Sequence, residues 1–323
     1  MLRNHALVME NAGRSIAEAE RCGDDATRGA AYGVLAIACA LSGAAQRGIE
    51  CGRRAVALLE KTKDLWYLSY SYWALGLCCS EIGAFQEALG AERRALEIGR
   101  EIGSLPLESS ALWVIGIIHS VMGEWDLGIA ECREAVAKAG DVLYRAINSG
   151  FLGFAYVEAG DSAAAIAVLE EVIPLLRQFG LNAHAAWFTA FLAEAYRLDG
   201  RLERAEILAE DARRLATETR FDVAVGWSQQ SLGRTAAARG DVATARARFA
   251  EALASFSATQ SRYETARTYL DLAVMSMRCG EREAACRHLG AADVVFEELD
   301  VPRYRARVAA LAAEWGVGPT DNR

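Results

Sequence analysis

The sequence predicts an all-α superhelical solenoid of about seven helix pairs, and three observations carry that expectation. Seven glycines (Gly43, Gly83, Gly123, Gly160, Gly200, Gly240 and Gly280) recur at spacings of 40, 40, 37, 40, 40 and 40 residues in a chain of 323. A fixed period of this length marks stacked repeats, in which each unit buries its apolar face only against its neighbours. Small and aliphatic residues keep fixed offsets from these glycines. The composition is also that of a helical protein: 53% hydrophobic residues, many of them Ala, and four Pro. Ala and Leu head the helix-propensity scale, and no stretch alternates with period two for long enough to suggest a sheet.

The offsets explain how two helices pack within a unit. Seven residues before each Gly stands a small residue: Ala36, Gly76, Gly116, Gly153, Ala193, Gly233 and Ala273. The residue before that one is always aliphatic: Leu35, Leu75, Ile115, Leu152, Leu192, Leu232 and Leu272. Five residues after the Gly come Gly48, Ala88, Gly128, Ala165, Ala205, Ala245 and Ala285. Twelve after it come Ala55, Ala95, Ala135, Val172, Ala212, Ala252 and Ala292. Helices approach closely only where one side chain is nearly absent, and the aliphatic neighbour fills the groove beside the contact. The Gly itself suits a helix C-terminus because it adopts positive φ without a Cβ clash.

Taken in order, residues 5–23 read as one helix without a preceding partner. It is either an N-terminal cap or the remnant of a longer array. Seven pairs follow across 27–300. Their first helices run near 28–42, 66–82, 108–122, 143–159, 183–199, 223–239 and 262–279. Their second helices run near 45–61, 85–102, 125–138, 162–178, 202–218, 242–257 and 282–298. Pro302 opens a final cap helix within 301–316, at a position where its missing N–H costs nothing. Arg303, Arg305, Arg307 and Glu314 give that helix a polar side. Residues 317–323 read as a frayed tail. The step from Gly123 to Gly160 is three residues short, and Pro174 falls inside the helix after it. A kink and a change of superhelix curvature are expected there. The short step reads as a tolerated deletion or as a joint between a three-repeat and a four-repeat half.

These columns resemble the tetratricopeptide repeat (TPR), whose motif places a large apolar residue and small residues in helix A. It then places Gly or a similar residue at the turn, and Ala early and late in helix B. The resemblance covers roughly residues 27–300. It departs from the family's 34-residue period, with six extra residues between the late helix-B Ala and the next helix-A Leu, as from Ala55 to Leu75. It implies a right-handed α–α superhelix forming a single solenoid over 1–323. Longer-period arrays of this kind resemble those of kinesin light chains and of bacterial ATPase- or cyclase-linked and transcriptional signalling regulators. Leu253–Ala273 and the run Glu298-Leu299-Asp300-Val301-Pro302-Arg303-Tyr304 are similar to the C-terminal arrays of that last group.

Charge and cysteine usage narrow the function. The net charge is −8, and arginine pairs such as Arg53-Arg54 and Arg93-Arg94 stand beside Glu as solvated faces. Direct nucleic-acid binding needs clustered cations and is not expected. None of the eight cysteines forms a CxxC pair, and they read as small buried hydrophobes in a reducing cytoplasm. Cys279, Cys286 and His288 are the one loose metal-like group, and no further ligands stand near it in sequence. The segment Met1–Glu20 carries charge throughout, so no signal peptide is read there. The uncharged runs 29–45 and 65–80 are too short for a membrane span. There is no P-loop, HExxH or G-x-S-x-G motif. His119 reads as a packed core histidine. No cofactor, metal site or catalytic residue is expected.

The resemblance implies that helix A lines a concave groove. Its positions ten and six before the turn Gly hold no Lys or Asn, which disfavours a clamp for the acidic tails of chaperones. Instead Tyr70, Trp73, Leu77, Trp113, Ile117 and Phe154 give an apolar first half, and Glu194, Arg197, Gln230 and Arg234 a polar second half. These residues read either as a groove for a peptide or helix or as filling between repeats. The expected function is a non-catalytic cytoplasmic protein-interaction scaffold with a protein or peptide partner. The alternative is the sensory or regulatory segment of a larger bacterial signalling protein, whose other domains would then be the partner.

Overall fold

The computed structural model describes residues 5–316, which form sixteen helices and no strand. Helix α1 (His5–Cys22) packs on α2. The first helices of the seven pairs are α2 (Asp25–Leu41), α4 (Leu65–Glu81), α6 (Leu105–Met122), α8 (Val142–Ala159), α10 (Asn182–Leu198), α12 (Asp222–Arg239) and α14 (Arg262–Arg278). Their partners are α3 (Ala45–Thr62), α5 (Phe85–Glu101), α7 (Trp125–Lys138), α9 (Ser162–Gln178), α11 (Leu202–Thr219), α13 (Val242–Ala258) and α15 (Arg282–Glu298), and α16 (Pro302–Trp315) closes the array. Residues 317–323, read as a tail, lie outside the described residues.

Local chemistry sets the helix ends. Asp24, Asp64, Asp141, Asp161 and Asp241 each accept a hydrogen bond from a backbone N–H three residues on, at Thr27, Tyr67, Tyr144, Ala164 and Thr244. The small-residue columns are the contact surfaces. Ala55, Ala95, Ala135, Ala212, Ala252 and Ala292 are all fully buried. The helix with the length and composition of a membrane span, α6, has 78% of its residues buried inside the protein.

Two expectations are refined. The three missing residues are taken from α7, which has 14 residues where the other paired helices have 17 or 18. Pro174 does not interrupt α9, which runs from Ser162 to Gln178 through it. The proline is exposed, so water can replace the hydrogen bond that its ring removes. A second series of left-handed residues, also absent from the sequence reading, joins one pair to the next: Lys63, Gly103, Gly180, Arg220, Gln260 and Asp300. It keeps the 40-residue step and fails only between α7 and α8, where the deletion lies.

The superhelix closes on itself. The turn before α14 meets the turn of the first pair, where Thr259 Cγ2 stands 2.8 Å from the position a Cβ on Gly43 would take. Leu299 approaches Gly83 to 2.8 Å and Arg303 approaches Gly123 to 3.0 Å in the same sense. Around Gly160, Gly200, Gly240 and Gly280 nothing lies within 4 Å. The first three turn glycines therefore receive the last two repeats and α16 as well as ending their helices. Phe85 and Tyr263 meet edge to face across this seam, at 5.8 Å between ring centroids.

Candidate ligand-binding interior

The first helices of the pairs carry a continuous ladder of aromatic rings from an exposed edge to the centre. Trp66, 46% exposed at the start of α4, stacks on Tyr70 at 5.7 Å, and Tyr70 meets Trp73 at 5.3 Å. Trp73 meets Trp113 of α6, which stacks flat on Phe151 of α8 at 3.8 Å. Phe151 meets Trp187 of α10, and Trp187 stacks on Trp227 of α12 at 5.1 Å. α4 supplies three rings at helical spacing, each of the next four first helices adds one, and stacking of units aligns them. At its outer end Trp66 meets Tyr67 edge to face, and Tyr67, Leu105, Val142 and Tyr144 are exposed at the starts of α4, α6 and α8.

At the centre the ladder encloses a cavity of about 60 Å³, walled by Leu77, Trp113, Ile117, Phe154, Trp187, Phe191 and Trp227 and closed by Ser261, Tyr263 and Glu264 from the returning C-terminal repeats. Glu81 lies in the same wall. A second cavity of about 30 Å³ adjoins it, among Glu158, Glu194, Gln230, Arg234, Glu264 and Arg267. Three polar atoms in the first wall have no protein partner: the Tyr263 hydroxyl, the Trp187 indole Nε1 and Glu264 Oε2.

Below the rings runs a buried charge network. Glu194 accepts two hydrogen bonds from Arg197 at 2.8 Å each and one from Arg234 at 3.2 Å. Burial opposes ionisation of Glu194, but Arg197 and Arg234 outweigh it and hold the carboxyl down at about 2. Arg234 also donates to Asp271 at 2.6 Å. Glu158, with 2% of its side chain exposed, pairs at 3.0 Å with Arg267 through one oxygen and at 3.0 Å with Arg303 through the other. Arg303 lies over the rings of Trp125 and Tyr304, at 4.9 and 5.0 Å from their centroids. A single carboxylate in the middle of the chain thus ties α14 and α16 onto the first half. Arg267 reaches Glu264 Oε1 at 3.3 Å. Burial raises the Glu264 carboxyl against the pull of Arg267 and Arg234. Burial and then the charge of Glu264 push Glu81 up to about 8.

The expected groove residues converge on this interior to different degrees. Leu77, Trp113, Ile117 and Phe154 line the first cavity, and Phe154, Glu194, Gln230 and Arg234 line the second. Arg197 stands behind Glu194, while Tyr70 and Trp73 are rungs of the ladder outside both cavities. Trp113 is 5% exposed and packed on Phe151, so it belongs to the core as well as to the cavity wall. Gln230 donates to Thr268 Oγ1 at 2.8 Å. Residues that the sequence reading did not single out complete the site, and a column betrays several of them. Tyr70, Trp187, Trp227 and Arg267 all stand thirteen residues before a turn Gly. Phe151 and Phe191 stand nine before one. His119 is buried, with Nδ1 2.5 Å from Glu131 Oε2. All eight cysteines are free, and Cys39, Cys51, Cys78, Cys79 and Cys132 are buried. Among the described residues no group of three His, Cys, Asp or Glu is placed to hold a metal.

Comparison of the coordinates with solved structures gives the architecture a context. A Rap protein complexed with competence and sporulation factor superimposes with a TM-score of 0.69 at 12% identity, over 84% of this chain and 76% of that one. The Rap conjugation gene regulator of plasmid pLS20 in complex with the Phr* peptide gives 0.67 at 14% identity, over 87% and 77%. A signal-transduction ATPase with a tetratricopeptide repeat sensor from Pyrococcus horikoshii gives 0.53 at 16% identity, over 80% of this chain and 42% of that one. The fold is a TPR-type helical repeat. No protein-family model matches the sequence, and no curated protein matches it.

Proposed function

We propose that this TPR solenoid is a non-catalytic binding scaffold whose superhelix interior receives a segment of polypeptide. The observation that carries this is the aromatic ladder, which leads from exposed Trp66 to a cavity whose wall holds polar atoms without protein partners. An aromatic surface offers apolar contact area, and buried unpaired donors and acceptors offer orientation. The likeness to two proteins solved with a bound factor or peptide supports the same reading. In the closed form the interior spaces of about 60 and 30 Å³ hold only a few water molecules. Binding of a polypeptide is therefore coupled to separation of α14 and α16 from the first three turns, and a ligand shifts that equilibrium by its preference for the open form.

Selection of peptides from a randomised display library on the immobilised protein tests the proposal. The selected peptides should lose binding at least tenfold when Ile117→Trp fills the cavity, with circular dichroism unchanged. Selected peptides indifferent to that substitution would refute it. A second reading, a sensory segment of a larger signalling protein, is favoured by the match to the TPR sensor of an ATPase, of which this chain spans 42%. A nucleotide-binding domain encoded in frame with this chain would support it.

A further inference from the structure

The central cavity has the chemistry of a specific kind of ligand group. Its walls are indole and phenyl faces: Trp113, Trp187 and Trp227 with Phe154 and Phe191. Such faces attract cations through the ring quadrupole. Two carboxylates, Glu81 from α4 and Glu264 from α14, line it, near enough for the charge of Glu264 to act on Glu81. Glu264 is 6% exposed, its Oε2 lies within hydrogen-bond distance of no donor, and the Trp227 indole N–H is near enough to favour the ionised carboxyl.

The charge count of the two cavity linings and their ion-pair partners singles out the same spot. Arg197, Arg234, Arg267 and Arg303 are matched by Glu158, Glu194, Asp271 and Glu264 through the ion pairs already described. Glu81 is the fifth carboxylate, and the charged group that acts on it is Glu264, another acid. A buried acceptor without a partner and an unmatched acid in an aromatic box are what a cationic guest would satisfy.

We propose that the cavity between Glu81 and Glu264 binds a small organic cation, a guanidinium or alkylammonium group, held by the two carboxylates against the Trp113, Trp187 and Trp227 faces. The space of about 60 Å³ corresponds to about four waters, which suits a guanidinium bearing one methyl. The group would arrive as a free amine or as the side chain of a bound peptide. The inference rests on the reading that the interior is a ligand site, and it adds the charge of what enters.

The test titrates methylguanidinium and its neutral isostere methylurea into the full chain at constant ionic strength, reading tryptophan fluorescence. The expected result is a saturable change with methylguanidinium alone, weakened about tenfold or more by Glu81→Gln and by Glu264→Gln. Glu206→Gln, on the exposed side of α11, should leave it unaltered. Because the guest and a proton compete for Glu81, affinity should rise from pH 6 to pH 8 and then level, and the slope should be shallower in Glu81→Gln. Tyr263 and Glu264 also line this cavity, and Arg267 lies behind Glu264 in the adjoining one. Of these, Glu264 is the one whose titration adds to the slope, in the same direction. A second arm compares the pentapeptide Ala-Ala-Arg-Ala-Ala with its citrulline counterpart, to tell a peptide-borne group from a free one. Equal responses to cation and isostere in both arms, or no effect of either Gln substitution, would overturn the inference. A display-selected peptide that binds regardless of charge would keep the interior as a site while removing this assignment. Methylguanidinium binding without any peptide binding would do the reverse.

Discussion

Closure of the superhelix can be isolated by comparing two alanine substitutions. Gly43 and Gly200 both end a helix with positive φ, +75° and +80°. An alanine in the left-handed region costs roughly 1–2 kcal/mol at either site. The sites differ in one respect. A Cβ at Gly200 meets nothing within 4 Å, whereas at Gly43 it stands 2.8 Å from Thr259 Cγ2. Thr259 cannot turn away easily. It is 4% exposed, and its hydroxyl is held by the carbonyls of Ser255 and Phe256 and by Ser261. Overpacking of this kind costs about 1–3 kcal/mol more, unless the seam opens to relieve it. Gly43→Ala should therefore lower urea stability by that extra amount or raise the radius of gyration in small-angle scattering, while Gly200→Ala should show the common strain alone. Adding Thr259→Ser removes the offending methyl, keeps the hydroxyl, and should return Gly43→Ala to the level of Gly200→Ala. Equal behaviour of the two alanines, or no rescue, would refute the argument that the C-terminal repeats rest on the first turn.

Three further outcomes follow from the interior. Glu158→Gln leaves Arg267 and Arg303 without their shared partner and should cost about 3–5 kcal/mol by denaturant unfolding, with expansion in scattering and little loss of helical signal. Trp113→Ala should cost about 3–5 kcal/mol in the same assay, because the ring is buried on Phe151 rather than presented to solvent. In pH series Glu194 and Glu81 act in opposite senses. Glu194 at about 2 lies below its ordinary value of 4.5, so its contribution is present above pH 4.5 and is lost as pH falls towards 2. Glu81 at about 8 keeps its proton when the unfolded chain has lost it, so it reduces stability as pH rises from 4.5 to 8. Glu81→Gln should flatten that alkaline limb, as urea midpoints across pH 5–9 would show.

The repeat was legible because each unit solves the same local packing problem. Ala55, Ala95 and Ala135 had to be small, and they are fully buried. The deletion was visible as a short step, and the span 125–138 read from the sequence already placed it in the second helix of that unit, which is α7. Pro174 falls inside α9, as the span 162–178 placed it, and stands on the exposed side, where water reaches the carbonyl that its ring leaves unpaired. The closure seam was hidden for a different reason. Thr259 and Gly43 are 216 residues apart, and their meeting depends on small rotations summed over six repeats, which no column records. The site was half visible. Trp73 and Trp113 stood in the columns that the TPR motif pointed to. Trp187 and Trp227 stood in the column of Tyr70 and were accessible to the same reasoning. Glu158 acts through Arg267 and Arg303 on distant helices, and a lone Glu on a helix carries no mark of that.

The most direct measurement replaces Phe154, in the wall of the central cavity, by azidophenylalanine, which keeps the ring already there, and does the same at Ile207, 60% exposed on α11. Irradiation with a display-selected peptide should attach the peptide at position 154 and not at 207. Attachment at 207 with none at 154 would place the ligand outside the superhelix and contradict the account.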